Sequence, residues 1–330
     1  MFTEQSLHDY PQVVKAFMGL PAEHFWELVQ QVQDHLPASD QQRLARPDRQ
    51  RAVGAGNRCD QPLSIRVALV LTYLRLHIPQ AAVAALYGAT QSDVSRELRR
   101  LLPLLRERLP SPVVWRVVAA DEPLPEAAQV PSAQIAEGRV LVDATEQRVA
   151  RASDNDVRKA HYSGKKKAFT LKTQVVTDAD HRFVAISEAV PGAKHDKKLS
   201  DELRTTERLP TGCEVDADKG YQGLDQQVQV VTIQDTTTGE ARQVPRLTVK
   251  TPVKKAKGQA LTEEQQAFNH ALNAIRVRVE HCIGWAKNWA ILATRFRCAH
   301  TIYTPIMQVV CGLVNAQTDR WQAAKAANCA

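Results

Sequence analysis

Three acids in this chain stand where their surroundings call for something else. Asp143 closes the apolar run Arg139-Val140-Leu141-Val142-Asp143, Asp218 closes Cys213-Glu214-Val215-Asp216-Ala217-Asp218, and Glu280 lies in a long helical stretch near the C-terminal end. A short apolar run that ends in an acid is expected of a central strand whose last residue projects from the end of a sheet. If the three converge, they repel: two unit charges about 4 Å apart cost roughly 4 kcal/mol at an effective dielectric near 20, so the cluster needs cations at its centre. Hard, oxygen-seeking Mg²⁺ or Mn²⁺ suits such a donor set. Two such ions serve displacement at phosphorus, one activating a water or a 3′-hydroxyl and the other steadying the leaving oxygen. Asp216, two residues before Asp218, points the same way along a strand and is the competing choice; the following Lys219-Gly220-Tyr221 favours Asp218.

The stretch that carries Glu280 reads as one amphipathic helix, near Thr262 to Trp289. Phe268, Leu272, Ile275, Val279, Ile283 and Ala286 recur at separations of three and four, which keeps one face on a core. Beside it runs a second stripe, Arg276, Glu280, Gly284 and Lys287, with a carboxylate between two cations. On its own such a stripe is a solvated salt-bridge face. The two strand acids turn it into a candidate site.

The elements that must position these residues follow a clear order. Residues 62–109 hold three helices in close succession, with Gly88 at a turn and Thr90 capping a helix that begins Gln91-Ser92-Asp93-Val94-Ser95-Arg96. This is a helix-turn-helix pattern. Val94, Leu98, Leu101 and Leu105 face inward, leaving Gln91, Ser92, Ser95, Arg96 and Arg99 to enter a major groove. Upstream, a helix from Pro21 to Leu36 gives way to an aperiodic basic connector, Pro37 to Gln61, with Arg43, Arg46, Arg49, Arg51 and Arg58. Prolines crowd the next boundary. We therefore divide the chain into a helical domain, residues 1–110, a Pro-rich linker, 111–136, and a second domain, 137–325. In that second domain the order is strand (139–143), strand (168–176), strand (182–190), helix (197–208), strand (213–218). Two strand candidates (229–234 and 246–250), a basic loop, the Glu280 helix and a last apolar helix from about Pro305 to Trp321 follow. Acids on the first strand, the fourth strand and a later helix match a ribonuclease-H-like arrangement.

Composition sets outer limits. With 330 residues, 44% of them hydrophobic, the chain builds a sizeable core, and 43 Lys and Arg against 36 Asp and Glu leave a formal charge of +7 that suits a polyanionic partner. The six cysteines show no paired spacing, and Cys298-Ala299-His300 with His281 and Cys282 lacks the CxxC of a zinc site, so reduced thiols are expected. No apolar run reaches the length of a membrane span, and the N-terminus lacks a signal-peptide pattern. A cytoplasmic protein with no membrane partner is expected.

Five local words make the reading specific: Leu141 to Gln147, Tyr162 to Lys167, Pro191-Gly192-Ala193-Lys194-His195-Asp196, Ala217 to Gly223, and Arg276 to Lys287. Together, from about residue 40 to 316, they resemble the DDE transposases of bacterial insertion sequences, and within them the insertion-sequence-five group related to Harbinger-type transposases. The resemblance implies an α/β fold, a ribonuclease-H-like catalytic domain with an N-terminal all-α helix-turn-helix domain, and a metal-binding triad of Asp143, Asp218 and Glu280 holding two Mg²⁺ or Mn²⁺ ions. It implies DNA contacts from Arg276 and Lys287, which reproduce the family's arginine, three residues, glutamate, six residues, lysine signature. The tyrosine often found three residues before that arginine is Asn273 here, which puts a substrate-DNA contact in doubt. His195 and Asp196 support the metal ligands from behind or lie near the metals themselves, or Asp196 caps a helix. Lys165, Lys166, Lys167, Lys254, Lys255 and Lys257 flank the sheet end, as phosphate contacts or as solubilising surface. The implied activity is binding of terminal inverted repeats, strand cleavage and strand transfer on double-stranded DNA, by a homodimer or larger assembly on the bacterial nucleoid. A domesticated DNA-binding regulator and a nuclease of the same fold are the competing readings.

Overall fold

A computed structural model describes residues 1–45, 50, 61–119, 121–234, 241–256 and 258–329. Lys257 and the connector residues Arg46, Arg49, Arg51 and Arg58 lie outside them. The chain divides into two units: Met1–Pro110 with Lys287–Thr294 and Pro305–Val310, and Ser111–Ala286 with Arg295–Thr304 and Cys311–Ala330.

The first unit is helical: α1 (Glu4–Asp9), α2 (Pro11–Met18), α3 (Ala22–Leu44), α4 (Leu63–Leu76), α5 (Gln80–Leu86) and α6 (Gln91–Arg108). α4 is apolar on all sides, and its residues from Ser64 to Leu74 are all buried, so it forms the centre around which the others pack. Arg66 inside it is buried too, and its Nε donates to Glu97 Oε2 of α6 at 2.9 Å. The α6 N-terminus is a reciprocal capping box: Asp93 N donates to Thr90 Oγ1 (3.2 Å) and Thr90 N to Asp93 Oδ2 (2.8 Å). Val94, Leu98, Leu101 and Leu105 are buried, as their spacing predicts. α3 departs from the sequence reading, running past Leu36 to Leu44 with Pro37 inside. The added turns are held from outside, since Asp40 accepts from Arg100 Nε of α6 at 3.0 Å.

The second unit is built on a mixed sheet. Its elements are β1 (Val113–Trp115), β2 (Arg139–Arg148), α7 (Asn155–His161), β3 (Tyr162–Ser163), β4 (Ala168–Asp178), β5 (Phe183–Ser187), β6 (Val190–Pro191), α8 (Asp196–Glu202), β7 (Glu214–Ala217), β8 (Val230–Gln234), β9 (Ala241–Pro245), β10 (Thr248–Lys250) and α9 (Glu263–Lys287). Two further helices, α10 (Ala290–Ala293) and α11 (Tyr303–Cys329), complete the chain. The sheet order is β1-β5-β4-β2-β7-β10, with β3 and β6 pairing β4, and β8 and β9 form a separate hairpin. β2, β4 and β5 make an antiparallel meander; β7 lies parallel to β2, and β10 parallel to β7. A helix, α8, precedes the return to β7. This is the ribonuclease-H-like fold, preceded by a helix-turn-helix region.

One face of the sheet is sealed by Val140, Val142, Val176, Val215 and Ala217 against Leu199 and Leu203 of α8, with Tyr221 and Leu224. At the edge, α11 fastens β5: the Asn315 amide accepts from Phe183 N and donates to Phe183 O, both at 2.8 Å.

The strand expected at 182–190 is split into β5 and β6, the helix expected at 197–208 ends at Glu202, and β9 was not expected; two further departures concern the strands of the sheet. Residues 111–136, read as a linker, contribute β1, which pairs parallel with β5 and buries Trp115 completely. Pro110 and Pro112 come immediately before Val113-Val114-Trp115, and an edge strand tolerates them where a central one does not. β2 also continues five residues beyond Asp143, because the long β4 partners it as far as Arg148↔Thr170. What ends at this level is β7, at Ala217. Among the described residues no helix is long and apolar enough to cross a membrane.

Candidate active site

Asp143 and Asp218 meet because two strands run side by side and one stops. The parallel register sets Leu141 against Asp216 and Val142 against Ala217; one step on, Asp143 stays in β2 while Asp218 leaves β7 as the cap of a 3₁₀ turn, Lys219–Tyr221. Asp218 Oδ1 accepts from Lys219 N at 2.6 Å, and Asp143 Oδ1 accepts from Ala144 N at 2.7 Å. Between them comes Arg276 from α9, 6% exposed, with Nη2 at 3.9 Å from Asp143 Oδ2 and Nη1 at 3.4 Å from Asp218 Oδ1.

The electrostatics are those of two carboxylates held around one guanidinium. Burial pushes the Asp143 carboxyl above the ordinary carboxylate range; its bond from Ala144 and the charge of Arg276 pull it back, and the charges of Asp218 and Asp196 push it up again. Carboxylate oxygens side by side, bridged by a guanidinium, fit a hard divalent ion in donor chemistry. Asp216, the competing acid, is fully buried beneath this level with both oxygens lacking a hydrogen-bond partner and Arg139 Nε at 3.7 Å, and burial raises its proton affinity. Asp218 is the more accessible of the two, its side chain 39% exposed.

The remaining candidates fall into place unevenly. Glu280 is exposed, one turn along α9 from Arg276, and among the described residues no group of three or more His, Cys, Asp or Glu side chains gathers as a metal cage. Two acids share Arg276, and a third carboxylate at the same point would add repulsion of several kcal/mol. Arg276, expected to touch DNA, is instead buried in these ion pairs, since a guanidinium between two half-buried carboxylates is worth more there than in water. Lys287 is the last residue of α9. His195 is the exposed residue that precedes α8 and makes no side-chain cap, so the capping role weighed for Asp196 is not observed; Asp196 opens the helix and reaches the buried Lys172 instead. Lys165 and Lys166 are exposed in the β3–β4 turn, and Lys254 and Lys255 are exposed after β10. In the helical unit Gln91, Ser92, Arg96 and Arg99 are exposed and Ser95 half-buried, which leaves the start of α6 open.

Sequence reasoning overlooked Lys172 and gave Glu146 and Tyr221, though part of the quoted words, no role of their own. Lys172 Nζ donates to Asp196 Oδ1 at 2.7 Å and sits 3.8 Å from Glu146 Oε1. A lysine inside the apolar strand Phe169-Thr170-Leu171-Lys172-Thr173 was the available signal, because a buried ammonium needs an acid partner.

Fold and site together define a class: a helix-turn-helix region joined to a ribonuclease-H-like domain that sets two acids on adjacent strands. Residues 142–315 match the DDE superfamily endonucleases, and residues 62–111 match the helix-turn-helix of DDE superfamily endonucleases. The chain belongs to the DDE superfamily endonucleases, a membership that implies divalent-metal chemistry on DNA. It is 25% identical over 274 residues, 82% of this chain and 87% of the relative, to a protein of Microchaete diplosiphon described as a probable transposase for insertion sequence element IS702. No solved structure matches the chain.

Proposed function

We propose that this endonuclease is a transposase: it binds the terminal inverted repeats of an insertion sequence through α4–α6, cuts the ends, and joins the freed 3′-hydroxyls to target DNA. The reading rests most on Asp143 and Asp218 meeting at Arg276 from neighbouring strands. Two Mg²⁺ or Mn²⁺ ions held there would supply the Lewis acid that activates the attacking oxygen and steadies the leaving one. Asp143 and Asp218 present oxygen donors side by side, Arg276 offsets their charge, and Glu280, exposed one turn along α9, would complete the donor set once bound cations offset the repulsion. Cutting and joining are one displacement with different nucleophiles, water first and a 3′-hydroxyl second.

Gln91, Ser92, Ser95, Arg96 and Arg99 read the repeat, while Lys165, Lys166, Lys254, Lys255 and Lys287 hold phosphates. Pairing two ends calls for a homodimer or larger assembly on nucleoid DNA. The five sequence words support a reading within the insertion-sequence-five group. Asp143→Ala, Asp218→Ala and Glu280→Ala should each lower Mg²⁺-dependent cleavage of a repeat-ended duplex by a thousandfold or more, on the scale of losing an essential catalytic group. End binding in a gel-shift assay should stay within a few-fold of the parent protein. Full cleavage by any one of them removes that residue from the triad; binding without cleavage by the parent protein marks a regulator; cleavage without joining of pre-cut ends marks a nuclease.

A further inference from the structure

Lys172 lies within β4 with 6% exposure, its Nζ donating to Lys194 O at 2.5 Å and Asp196 Oδ1 at 2.7 Å. Glu146, opposite Lys172 in the β2–β4 register, lies 3.8 Å from that ammonium and accepts from Thr170 Oγ1 at 2.8 Å. A charge this deep is retained only where partners surround it. The loop between β5 and α8 is drawn tight onto the strand to supply them. β6 pairs Val190 with Lys172, Gly192 N donates to Thr170 O at 2.9 Å, and a Cβ at Gly192 would fall 1.8 Å from Thr170 Oγ1, so no side chain fits.

The second oxygen of Asp196 faces the site. A Cβ built on Gly220 would lie 3.2 Å from Asp196 Oδ2, tighter than an ordinary contact, so Asp196 rests directly against the turn that Asp218 caps. Behind that turn Tyr221 is fully buried with its hydroxyl unpartnered. We propose that Lys172 and Asp196 are positioning residues: the buried ammonium holds the Asp196 carboxylate against Gly220 and so fixes the turn that aims Asp218 at Asp143. The inference rests on Asp143 and Asp218 being the metal ligands. Lys172, Gly192, Asp196 and Gly220 then form one buckle, distant in sequence, under one acid.

The test is calorimetric titration of the full-length protein with Mn²⁺, alongside thermal melting. Lys172→Met should weaken Mn²⁺ binding by about tenfold or more, the usual cost of removing a group that orients a metal ligand. Because that variant leaves two acids without their ammonium and a loss of fold would mask its metal binding, Gly220→Ala is the second probe: it keeps the buried charges and only displaces Asp196, and the same loss is expected. Asp196→Asn retains an oxygen for Lys172 and should bind Mn²⁺ within about threefold of wild type, whereas Asp196→Ala should not. Folded Lys172→Met or Gly220→Ala protein with wild-type affinity overturns the proposal. So does Asp196→Asn losing as much as Asp143→Ala, which would make Asp196 a ligand. Wild-type Mn²⁺ binding by Asp143→Ala would instead remove the ligand assignment on which the inference stands.

Discussion

Each unit of the molecule buries a cation against an acid, and the two pairs serve different ends. In the helical unit Arg66 and Glu97 join α4 to α6, with Arg66 Nε and Nη2 both within 3 Å of one Glu97 oxygen and both side chains less than a tenth exposed. Glu97 Oε1 also lies 3.8 Å from Arg100 Nη1, whose guanidinium holds Asp40 of α3, so the pair ties helix to helix and serves as scaffolding. In the sheet unit Lys172 engages Asp196 with one of its oxygens and leaves the other against Gly220, in the turn beside Asp218. A buried pair is weak evidence for stability in general, since desolvation offsets most of the attraction. Its geometry shows whether it ends at its own partner or bears on something further.

Breaking the first pair should give the larger stability effect. Glu97→Ala leaves a guanidinium buried without its carboxylate, which costs about 3–5 kcal/mol. Urea titration of the full chain checks this, and Mn²⁺ affinity measured where the variant is still folded should equal that of wild type. If Glu97→Ala lowers Mn²⁺ affinity as much as Lys172→Met does, the two pairs are not different in kind and the comparison fails.

How far the sequence reached follows from the same contrast. The face of α6 was legible because Val94, Leu98, Leu101 and Leu105 recur at a period that any helix must obey, and Thr90 to Asp93 is a local cap. Asp143 and Asp218 stood out because each closes an apolar run, although only Asp218 lies at a strand end and Asp143 sits inside β2. The partners of charges were not. Arg276 looks like one of several surface cations on an amphipathic helix until residues 143 and 218 arrive from more than fifty positions away, and Lys172 meets Asp196 across a stretch of loop whose path no local pattern fixes. β1 was hidden for a related reason: three apolar residues among prolines become a strand only when β5 offers an open edge.

A third buried acid sharpens the comparison by having no hydrogen-bonding partner for either oxygen. Asp216 keeps its proton more readily in the folded chain than in the unfolded one, chiefly through burial. Ionising it therefore costs stability: the folded state is favoured most below about pH 4, the ordinary carboxylate value, and loses ground as pH rises through the raised value. Asp216→Asn removes that loss. In metal-free buffer it should melt a few degrees above wild type at pH 7 and show no gain near pH 4. An Asn variant less stable than wild type at both pH values would mean that Asp216 is ionised and held by Arg139 and Lys250.

The smallest stability effect belongs to an ion pair on the surface of the recognition helix. Arg96 Nη2 lies 2.5 Å from Asp93 Oδ1, but its side chain is 65% exposed. Water already solvates both groups, so Arg96→Ala should change stability by no more than about 0.5 kcal/mol. Under the proposed function its charge would meet a phosphate or a guanine edge. In repeat-binding titrations at several salt concentrations, Arg96→Ala should lower affinity and reduce the slope of log affinity against log salt by about one if it contacts a phosphate. If it reads a base, the slope should hold and discrimination at one position of the repeat should fall by roughly 1–3 kcal/mol. An unchanged slope together with unchanged discrimination would take Arg96 out of the DNA interface.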